Sequence, residues 1–299
     1  MPEPHADAGD FAALRPGLLR LAYRMLGSWA EAEDVVQDAY LRWHGADHAA
    51  VRNAQAFLRQ TVTRLCLDLM KSAGRQRQTY IGPWVPEPVL EEHPGMGEGD
   101  ALTLALMMAL ERLSPLERAA FLLHDVFGLP FEEVAATLAR DAAACRQLAA
   151  RARGHVQKSR PRYPVSAERG RQIAQAFFAA SRRGDMAGLQ ALLAADVQVH
   201  TDGGGKRPAA LVPLYGADKA ARFFVSLARK GLVSTAPVVR ETVIDGLPGF
   251  ITRELDGVLQ TTALWIEQDR IQGIYIVRNP DKLRGLPNFD DPPNATLSV

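Results

Sequence analysis

The 299-residue sequence has few of the features that mark export, membrane insertion or metal binding. Its two cysteines, Cys66 and Cys145, lie in helical patterns and lack the spacing of a zinc site. No run of eighteen apolar residues is present, and the first ten residues lack the basic-then-apolar form of a signal peptide. These absences predict a cytoplasmic, reduced protein with no metal, no other cofactor and no membrane partner.

The formal net charge of +1 conceals an uneven distribution of charge along the chain. From Arg140 to Arg162 there are seven Lys or Arg residues and one acid, Asp141. From Pro83 to Asp100 there are five acids and no Lys or Arg. This pattern predicts one basic region with a polyanionic partner and one acidic, proline-rich linker over residues 81–100.

The N-terminal 80 residues are predicted to form an all-α domain. Apolar residues recur every three or four positions over residues 11–43, with a break that Ser28 and Glu31 mark as a helix start with a capping box. A third helix is predicted over residues 54–73, and one of its faces carries basic side chains.

Residues 101–160 are predicted to form a second helical domain that contains a helix-turn-helix. In the segment LSPLERAAFLLHDVFG, Ser114 and Glu117 form a capping box and Gly128 marks the end of the helix. A short helix, FEEVAATLA, and a tight turn then precede an arginine-bearing helix that Asp141 caps.

The arginine-bearing helix is the first candidate for a DNA-binding surface. Its spacing turns Arg146, Gln147 and Arg153 outward, beside small residues that allow close approach to a groove. Arginine suits guanine edges and phosphates, and glutamine suits adenine. The alternative is a solvated helix end, at which arginine is favoured by the helix dipole.

Residues 165–286 change in pattern and predict an α+β domain, followed by a tail over residues 287–299. Helical segments come first, and four β-rich runs follow, separated by Asp-Gly or Gly-Pro turns. The fold class is therefore multidomain: two all-α helical domains and one α+β domain, built as an antiparallel meander with helices on one face.

Three long segments resemble a known family. EAEDVVQDAYLRWHGAD, AFLRQTVTRLCLDLMKSA and LSPLERAAFLLHDVFGLPFEEVAATLARDAAACRQLAARAR resemble the σ2 and σ4 regions of extracytoplasmic-function (ECF) RNA polymerase sigma factors. WVPEP, DGGGK and NPDKL resemble three signatures of the subgroup with a fused SnoaL-like C-terminal domain, a cone-shaped fold. The resemblance implies a transcription initiation factor whose partners are core RNA polymerase and promoter DNA.

The resemblance also implies roles for individual residues. The core-polymerase contacts would be Asp34, Gln37 and Asp38. The −10 promoter contacts would be Asn53, Arg64, Lys71 and Arg75. The −35 contacts would be Arg146, Gln147, Arg151 and Arg153. The fused domain would regulate the factor in place of a separate anti-sigma factor.

The three signatures suggest a contact between the linker and the C-terminal domain. We expect Trp84 to supply most of the docking energy, Lys282 to pair with Glu87, and Asp202 to cap the glycine turn. The full set of interdomain residues is Trp84, Pro86, Glu87, Pro88, Asp202, Gly203, Gly204, Gly205, Lys206, Asn279, Pro280, Asp281, Lys282 and Leu283. The alternative is an acidic spacer between two DNA-binding units, which could mimic nucleic acid in an unused channel.

Two other functions remain open on the residues alone. One is a helix-turn-helix regulator whose C-terminal pocket senses an unknown small ligand. The other is a cyclase- or isomerase-like enzyme fused to a DNA-binding module, with His200, Asp202, Tyr215 and Trp265 as acid/base groups. The fold by itself does not establish such catalysis.

Overall fold

A computed structural model describes residues 6–77, 80–93, 103–156, 165–233, 238–255, 257–287 and 289. The side chains of residues 6–10, 49 and 73–77 are outside this description. The chain divides into two compact units. The first comprises residues 1–80 and 92–161, and the second comprises residues 81–91 and 162–299.

Three helices begin the first unit: α1 (Ala6–Leu26), α2 (Trp29–His44) and α3 (Ala54–Arg77). The Ser28 hydroxyl accepts a hydrogen bond from the backbone N–H of Glu31 at 3.2 Å, which caps α2. The predicted helix start at Ser28 is therefore confirmed. Helix α3 begins at the predicted residue and continues four residues beyond the predicted end.

The other described residues of the first unit, from residue 103 onward, form four further helices and a π-helical turn. They are α4 (Leu104–Leu110), α5 (Pro115–Phe121), the π turn (Leu122–Val126), α6 (Phe131–Leu138) and α7 (Ala142–Val156). Ser114 and Glu117 form the predicted capping box at the start of α5. The hydrogen bond from the Ser114 hydroxyl lowers the pKa of the Glu117 carboxyl.

A buried arginine connects α5 to the ends of α1 and α4. The Arg118 side chain is 1% exposed and forms an ion pair with Glu111 at 2.7 Å. Its guanidinium also donates to the Met25 carbonyl at 2.7 Å and, through Nε, to the Leu110 carbonyl at 2.9 Å. The last carbonyl groups of a helix have no hydrogen-bond donor within that helix. The Arg118 side chain supplies donors to such carbonyl groups at the C-termini of two helices.

The described residues of the second unit form three α-helices and six strands. The helices are α8 (Ala167–Arg183), α9 (Met186–Leu192) and α10 (Ala217–Arg229). The strands are β1 (Leu193–Asp202), β2 (Leu214–Tyr215), β3 (Val238–Ile244), β4 (Leu247–Arg253), β5 (Leu259–Glu267) and β6 (Arg270–Val277). A 3₁₀ turn, Pro280–Leu283, follows the last strand.

The strands form one sheet in the order β2-β1-β6-β5-β4-β3. Strands β3 to β6 form the predicted antiparallel meander. The turn at Asp245-Gly246 has φ of 45° and 71°, as a two-residue hairpin turn requires. Strand β1 runs parallel to β6, which no local pattern predicted.

The helices of the second unit pack against one side of the curved sheet. Phe177 of α8 and Phe224 of α10 contact edge to face at 5.0 Å between ring centroids, within the main apolar core. The predicted α+β class is confirmed. The segment predicted as one linker is divided, because residues 81–91 belong to the second unit.

Candidate functional site

The exposed face of α2 carries the predicted polymerase contacts. Asp34, Gln37 and Asp38 are all exposed, while the opposite face of the helix is buried. Leu41, which the sequence reasoning missed, lies on the same face and is 60% exposed. The sequence contained a signal for this residue. Leu41 follows the three predicted contact residues by three, four and seven positions, and these spacings place side chains on one face of a helix.

The predicted −10 residues are placed on or beside α3. Asn53 is exposed, and its Oδ1 accepts a hydrogen bond from the Ala56 N–H at 2.9 Å, so this residue caps the helix. Arg64 and Lys71 are exposed on α3. The Arg75 side chain lies outside the described residues, and its contact with the −10 element remains a prediction.

Arg64 and Lys71 line a cleft of about 510 Å³ between α3 and the helix-turn-helix. The opposite wall includes Pro115 and Arg140. Near the cleft, the Gln60 side-chain amide donates to the Ala136 carbonyl at 2.9 Å. The two helical domains are therefore in contact beside the basic face of α3.

The helix-turn-helix has the predicted geometry. Ala139 ends α6 in the left-handed conformation with φ of 52°. The Asp141 carboxylate accepts a hydrogen bond from the Ala144 N–H at 2.7 Å, which caps α7. Cys145, Ala149 and Ala152 are buried against the rest of the unit.

The outward face of α7 carries three of the predicted −35 residues. Arg146, Gln147 and Arg151 are exposed. Arg146 forms an exposed ion pair with Glu132 of α6 at 3.2 Å, which a phosphate or base could replace at little cost. Arg153 is less exposed than these three.

The Arg153 guanidinium forms an ion pair with Asp125 at 2.6 Å, and this carboxylate is only 17% exposed. The residue lies at the border of the buried face of α7, where a periodicity argument alone assigns it to the outside. The Arg153 side chain is therefore less exposed than those of Arg146 and Arg151, and its contact with DNA remains a prediction.

Residues 81–91 form an extended segment, which we name the strap. The strap packs on the second unit through five buried residues: Val85, Pro86, Pro88, Val89 and Leu90. Trp84 is only partly buried. The strap thus also buries aliphatic and proline side chains that follow Trp84, and the expectation that Trp84 supplies most of the docking energy remains a prediction.

The end of the strap pairs with the β3 edge of the sheet. The Asp245 N–H donates to the Val89 carbonyl at 2.8 Å, and the Val89 N–H donates to the Asp245 carboxylate at 3.1 Å. Leu90 forms an antiparallel bridge with Ile244. The strap thus covers part of a sheet edge whose backbone groups would otherwise need other partners.

The start of the strap is held by a buried ion pair. Lys282 Nζ lies 2.7 Å from the Asp202 carboxylate, and the two side chains are 8% and 0% exposed. Lys282 also donates to the Val85 carbonyl, and Asp202 accepts from the Val85 N–H at 2.9 Å. The Lys282 ammonium lies 3.9 Å from the centroid of the Trp84 ring.

This network gives Lys282 and Asp202 partners that the sequence did not predict. Lys282 pairs with Asp202 and its ammonium lies against the Trp84 ring, and the expected pairing with Glu87 remains a prediction. The Asp202 carboxylate binds Lys282 and the strap backbone, and its role as the cap of the glycine turn remains a prediction. The three signature motifs do meet in the structure, as expected.

The glycines of DGGGK are required by close contacts. A Cβ at Gly204, whose φ is 60°, would lie 2.2 Å from the Asn279 side chain. A Cβ at Gly205 would lie 2.9 Å from the Ile81 side chain. The adjacent Lys206 forms an exposed ion pair with Asp281, which lowers the pKa of that carboxyl.

A cavity of about 440 Å³ lies inside the second unit, between its helices and the sheet. His200, Tyr215 and Trp265 are not among the described residues that line it, and neither is Asp202. The acid/base set considered for an enzyme is therefore not assembled around the cavity. In the described part of the chain, no cluster of three or more His, Cys, Asp or Glu could hold a metal ion.

Two family models match the two helical regions. Residues 11–76 match sigma-70 region 2, and residues 103–156 match sigma-70 region 4. These regions are the helical bundle with the α2 and α3 faces and the helix-turn-helix described above. The two helical regions are thus of the sigma-70 class.

Comparison with complete relatives narrows this class: the chain belongs to the ECF RNA polymerase sigma factor family. It is 36% identical to the ECF RNA polymerase sigma factor SigJ of Mycobacterium tuberculosis, over 94% of each chain. It is 33% identical to the probable ECF sigma factor SigI of M. tuberculosis, over 91% of this chain and 92% of that one. The crystal structure of M. tuberculosis SigJ matches with a TM-score of 0.76 at 34% identity, covering 94% of this chain and 99% of that chain.

The family decides among the three functions left open by the sequence. The protein is an alternative sigma factor for transcription initiation, with core RNA polymerase and promoter DNA as the partners that this family implies. It is a DNA-binding transcription factor and not an enzyme. Within the described residues, no helix has both the length and the apolar character to cross a bilayer.

Proposed function

We propose that this sigma factor uses three separate faces of its helical domains. Helix α2 binds core polymerase through Asp34, Gln37 and Asp38, and Leu41 adds an apolar contact at the centre of that face. Asn53 and α3, with Arg64, Lys71 and Arg75, contact the −10 element. Helix α7 contacts the −35 element through Arg146, Gln147 and Arg151, with Arg153 in a positioning role. The exposure of these α2, α3 and α7 faces supports the assignment.

The Leu41→Ala variant is expected to bind core polymerase about tenfold more weakly, without a loss of stability. An exposed leucine contributes little to folding, but its burial at a protein interface removes apolar area from water. Surface plasmon resonance with immobilised core enzyme measures the change, and about 1.4 kcal/mol corresponds to the factor of ten. Leu255→Ala, at a leucine 64% exposed in the second unit, is the matched control. Equal affinities for both variants would remove Leu41 from the proposed surface.

The Arg146→Ala and Gln147→Ala variants are each expected to weaken promoter recognition, and the two are expected to affect different bases of the −35 element. A bidentate contact to a base contributes about 1–3 kcal/mol of discrimination, and a phosphate contact contributes affinity without discrimination. Transcription from a library of −35 sequences by the reconstituted holoenzyme measures this. Arg140→Ala, an exposed arginine in the turn before α7, is the control. An unchanged sequence profile in both α7 variants would contradict the assignment of this helix.

The fused domain regulates the factor through the strap. The observation that carries this proposal is the buried network of Lys282, Asp202 and the Val85 backbone, which fixes a segment lying between the two DNA-binding domains in the chain. Because the bound strap is already extended, its release would not lengthen the connection, but it would let about 11 residues, whose span is at most roughly 36–40 Å, adopt many end-to-end distances. Strap binding therefore limits the promoter spacings that both domains can reach together.

The Trp84→Ala variant is expected to tolerate altered promoter spacing. Loss of the cation–π contact with Lys282 removes about 1 kcal/mol from strap binding, which is roughly a fivefold shift toward the released state. Run-off transcription from templates with altered spacers should rise relative to the native spacer, and the scattering radius of the free protein should change. Tyr215→Ala, at an aromatic residue 52% exposed in the same unit, is the control. If Trp84→Ala leaves both transcription and scattering unchanged, the strap has no such role.

The proposal also covers the need for a separate anti-sigma factor and the location of the protein in the cell. The fused domain acts in place of a separate anti-sigma factor, because the strap gives the chain its own means of restricting the two DNA-binding domains. The protein acts in the cytoplasm, where core polymerase and promoter DNA are found. Pull-down from cell lysate tests the first point, and recovery of a dedicated inhibitory protein bound to the helical domains would overturn it.

A further inference from the structure

The cavity of the second unit has the size and lining of a small-molecule site. Its volume of about 440 Å³ falls within the range of about 300–1,000 Å³ that is usual for ligand pockets. The walls are mainly apolar, and five phenylalanines contribute to them: Phe177, Phe178, Phe223, Phe224 and Phe250. Aromatic walls favour planar rings, which they contact by offset stacking or edge to face.

Two arginines give this apolar cavity a positive side. Arg278 lines the cavity; its Nη1 donates to the Pro208 carbonyl at 2.7 Å, and its buried Nε–H has no acceptor among the described residues. Arg182 also lines the cavity and lies over the Phe178 ring, 4.4 Å from the centroid. Partial burial lowers the pKa of Arg182, so an anionic partner would favour its charged form.

Among the described residues that line the cavity, the single acidic side chain does not balance both cations. Glu254 is buried, and its carboxylate accepts a hydrogen bond from the Thr252 hydroxyl at 2.8 Å. Its field also acts on Arg182. One carboxylate against two guanidinium groups leaves the described lining with one excess positive charge, and the Nε–H of Arg278 still needs an acceptor.

We propose that this cavity binds a ring-bearing small-molecule monocarboxylate, with its ring among the phenylalanines and its carboxylate on Arg278 and Arg182. The Nε edge of a guanidinium is suited to a carboxylate, and such charge-assisted bonds are stronger than neutral ones. The ligand is a regulator and not a substrate, because the protein is a transcription factor.

Bound ligand strengthens the attachment of the strap. Thr201 and Arg278 line the cavity, and they directly adjoin Asp202 and Asn279 in the chain. The Arg278 N–H donates to the Asp202 carbonyl at 2.7 Å, so the cavity wall and the strap anchor share one backbone connection. A carboxylate that fixes Arg278 therefore restricts the backbone that holds Asp202 against the strap.

Isothermal titration of the full chain with benzoic, 2-naphthoic and anthracene-2-carboxylic acids tests the binding, without polymerase or DNA. We expect saturable one-to-one binding by at least one acid, about tenfold tighter than by its neutral amide. Arg278→Gln and Arg182→Gln should each lower acid affinity about tenfold and leave amide affinity unchanged. Ser181→Leu, which extends an apolar group from the cavity wall, should weaken binding of both. Arg171→Gln, an exposed arginine on the same helix as Arg182, is the control.

Failure of all three acids to bind, or equal affinity for acid and amide, would overturn the proposal. If one of the two arginine variants does not fold, the acid and amide affinities of the other variant show whether the positive charge contributes to binding. Amide hydrogen exchange at Val85 is expected to slow at saturating acid, and unchanged exchange would overturn the coupling to the strap. Because these measurements need no promoter, they separate failure of ligand binding from failure of the proposed transcriptional role.

Discussion

The Lys282→Met variant is expected to lose about 3–5 kcal/mol of stability in the second unit, the range measured when one partner of a buried ion pair is removed. Methionine preserves most of the side-chain volume but leaves the Asp202 carboxylate buried, at 0% exposure, without its ammonium partner. It also removes the hydrogen bond to the Val85 carbonyl and the contact with the Trp84 ring. Urea unfolding followed by the fluorescence of Trp84 and Trp265 measures the loss.

Two further variants distinguish the buried pair from an ordinary surface pair. Lys206→Met removes the exposed ion pair with Asp281 and is expected to change stability by only about 0–1 kcal/mol. The double variant Asp202→Leu with Lys282→Met removes both charges and should regain part of the loss, because no uncompensated charge remains buried. If Lys282→Met lowers the free energy of unfolding no more than Lys206→Met does, the buried network does not stabilise the attachment of the strap.

The Arg118→Met variant is expected to destabilise the first unit by a similar amount, about 3–5 kcal/mol. The substitution leaves three groups without their guanidinium partner: the Met25 carbonyl, the Leu110 carbonyl and the Glu111 carboxylate. Because Arg118 joins the end of α1 to α4 and α5, its loss should also loosen the contact between the two helical domains. Thermal unfolding followed by circular dichroism at a helix wavelength measures the change.

Arg112→Met provides the matched control for this prediction. Arg112 is exposed in the turn after α4, six residues before Arg118, and its replacement should change stability by less than about 0.5 kcal/mol. Hydrogen exchange of the buried Leu26 and Leu110 amides would report local loosening in the Arg118 variant. Similar unfolding temperatures for the Arg118 and Arg112 variants would show that the buried guanidinium is not needed to hold α5 against the ends of α1 and α4.

The sequence predicted features that depend on neighbouring residues. The Ser28, Ser114 and Asp141 caps all involve hydrogen bonds across three residues, so the local pattern was sufficient to find them. The Asp245-Gly246 hairpin also needs only its own backbone conformation. The candidate surface on α7 followed from helical periodicity, which separates exposed from buried faces but is weakest at their border, where Arg153 lies. The candidate surface on α2 followed from the family resemblance.

What the sequence by itself determined is most of the helices and strands and the fold class, because caps, turns and periodicity act within a few residues. The family followed from the resemblance of longer motifs. Only the tertiary structure decided which carboxylate forms the buried ion pair with Lys282. Asp202 is 80 residues from Lys282 in the chain, and the Val85 carbonyl is 197 residues away. The parallel pairing of β1 with β6, the path of the strap along the sheet edge and the charged side of the cavity depend on similar long-range contacts. Such contacts form only when the whole unit excludes water from the groups they join, and no local pattern encodes that exclusion.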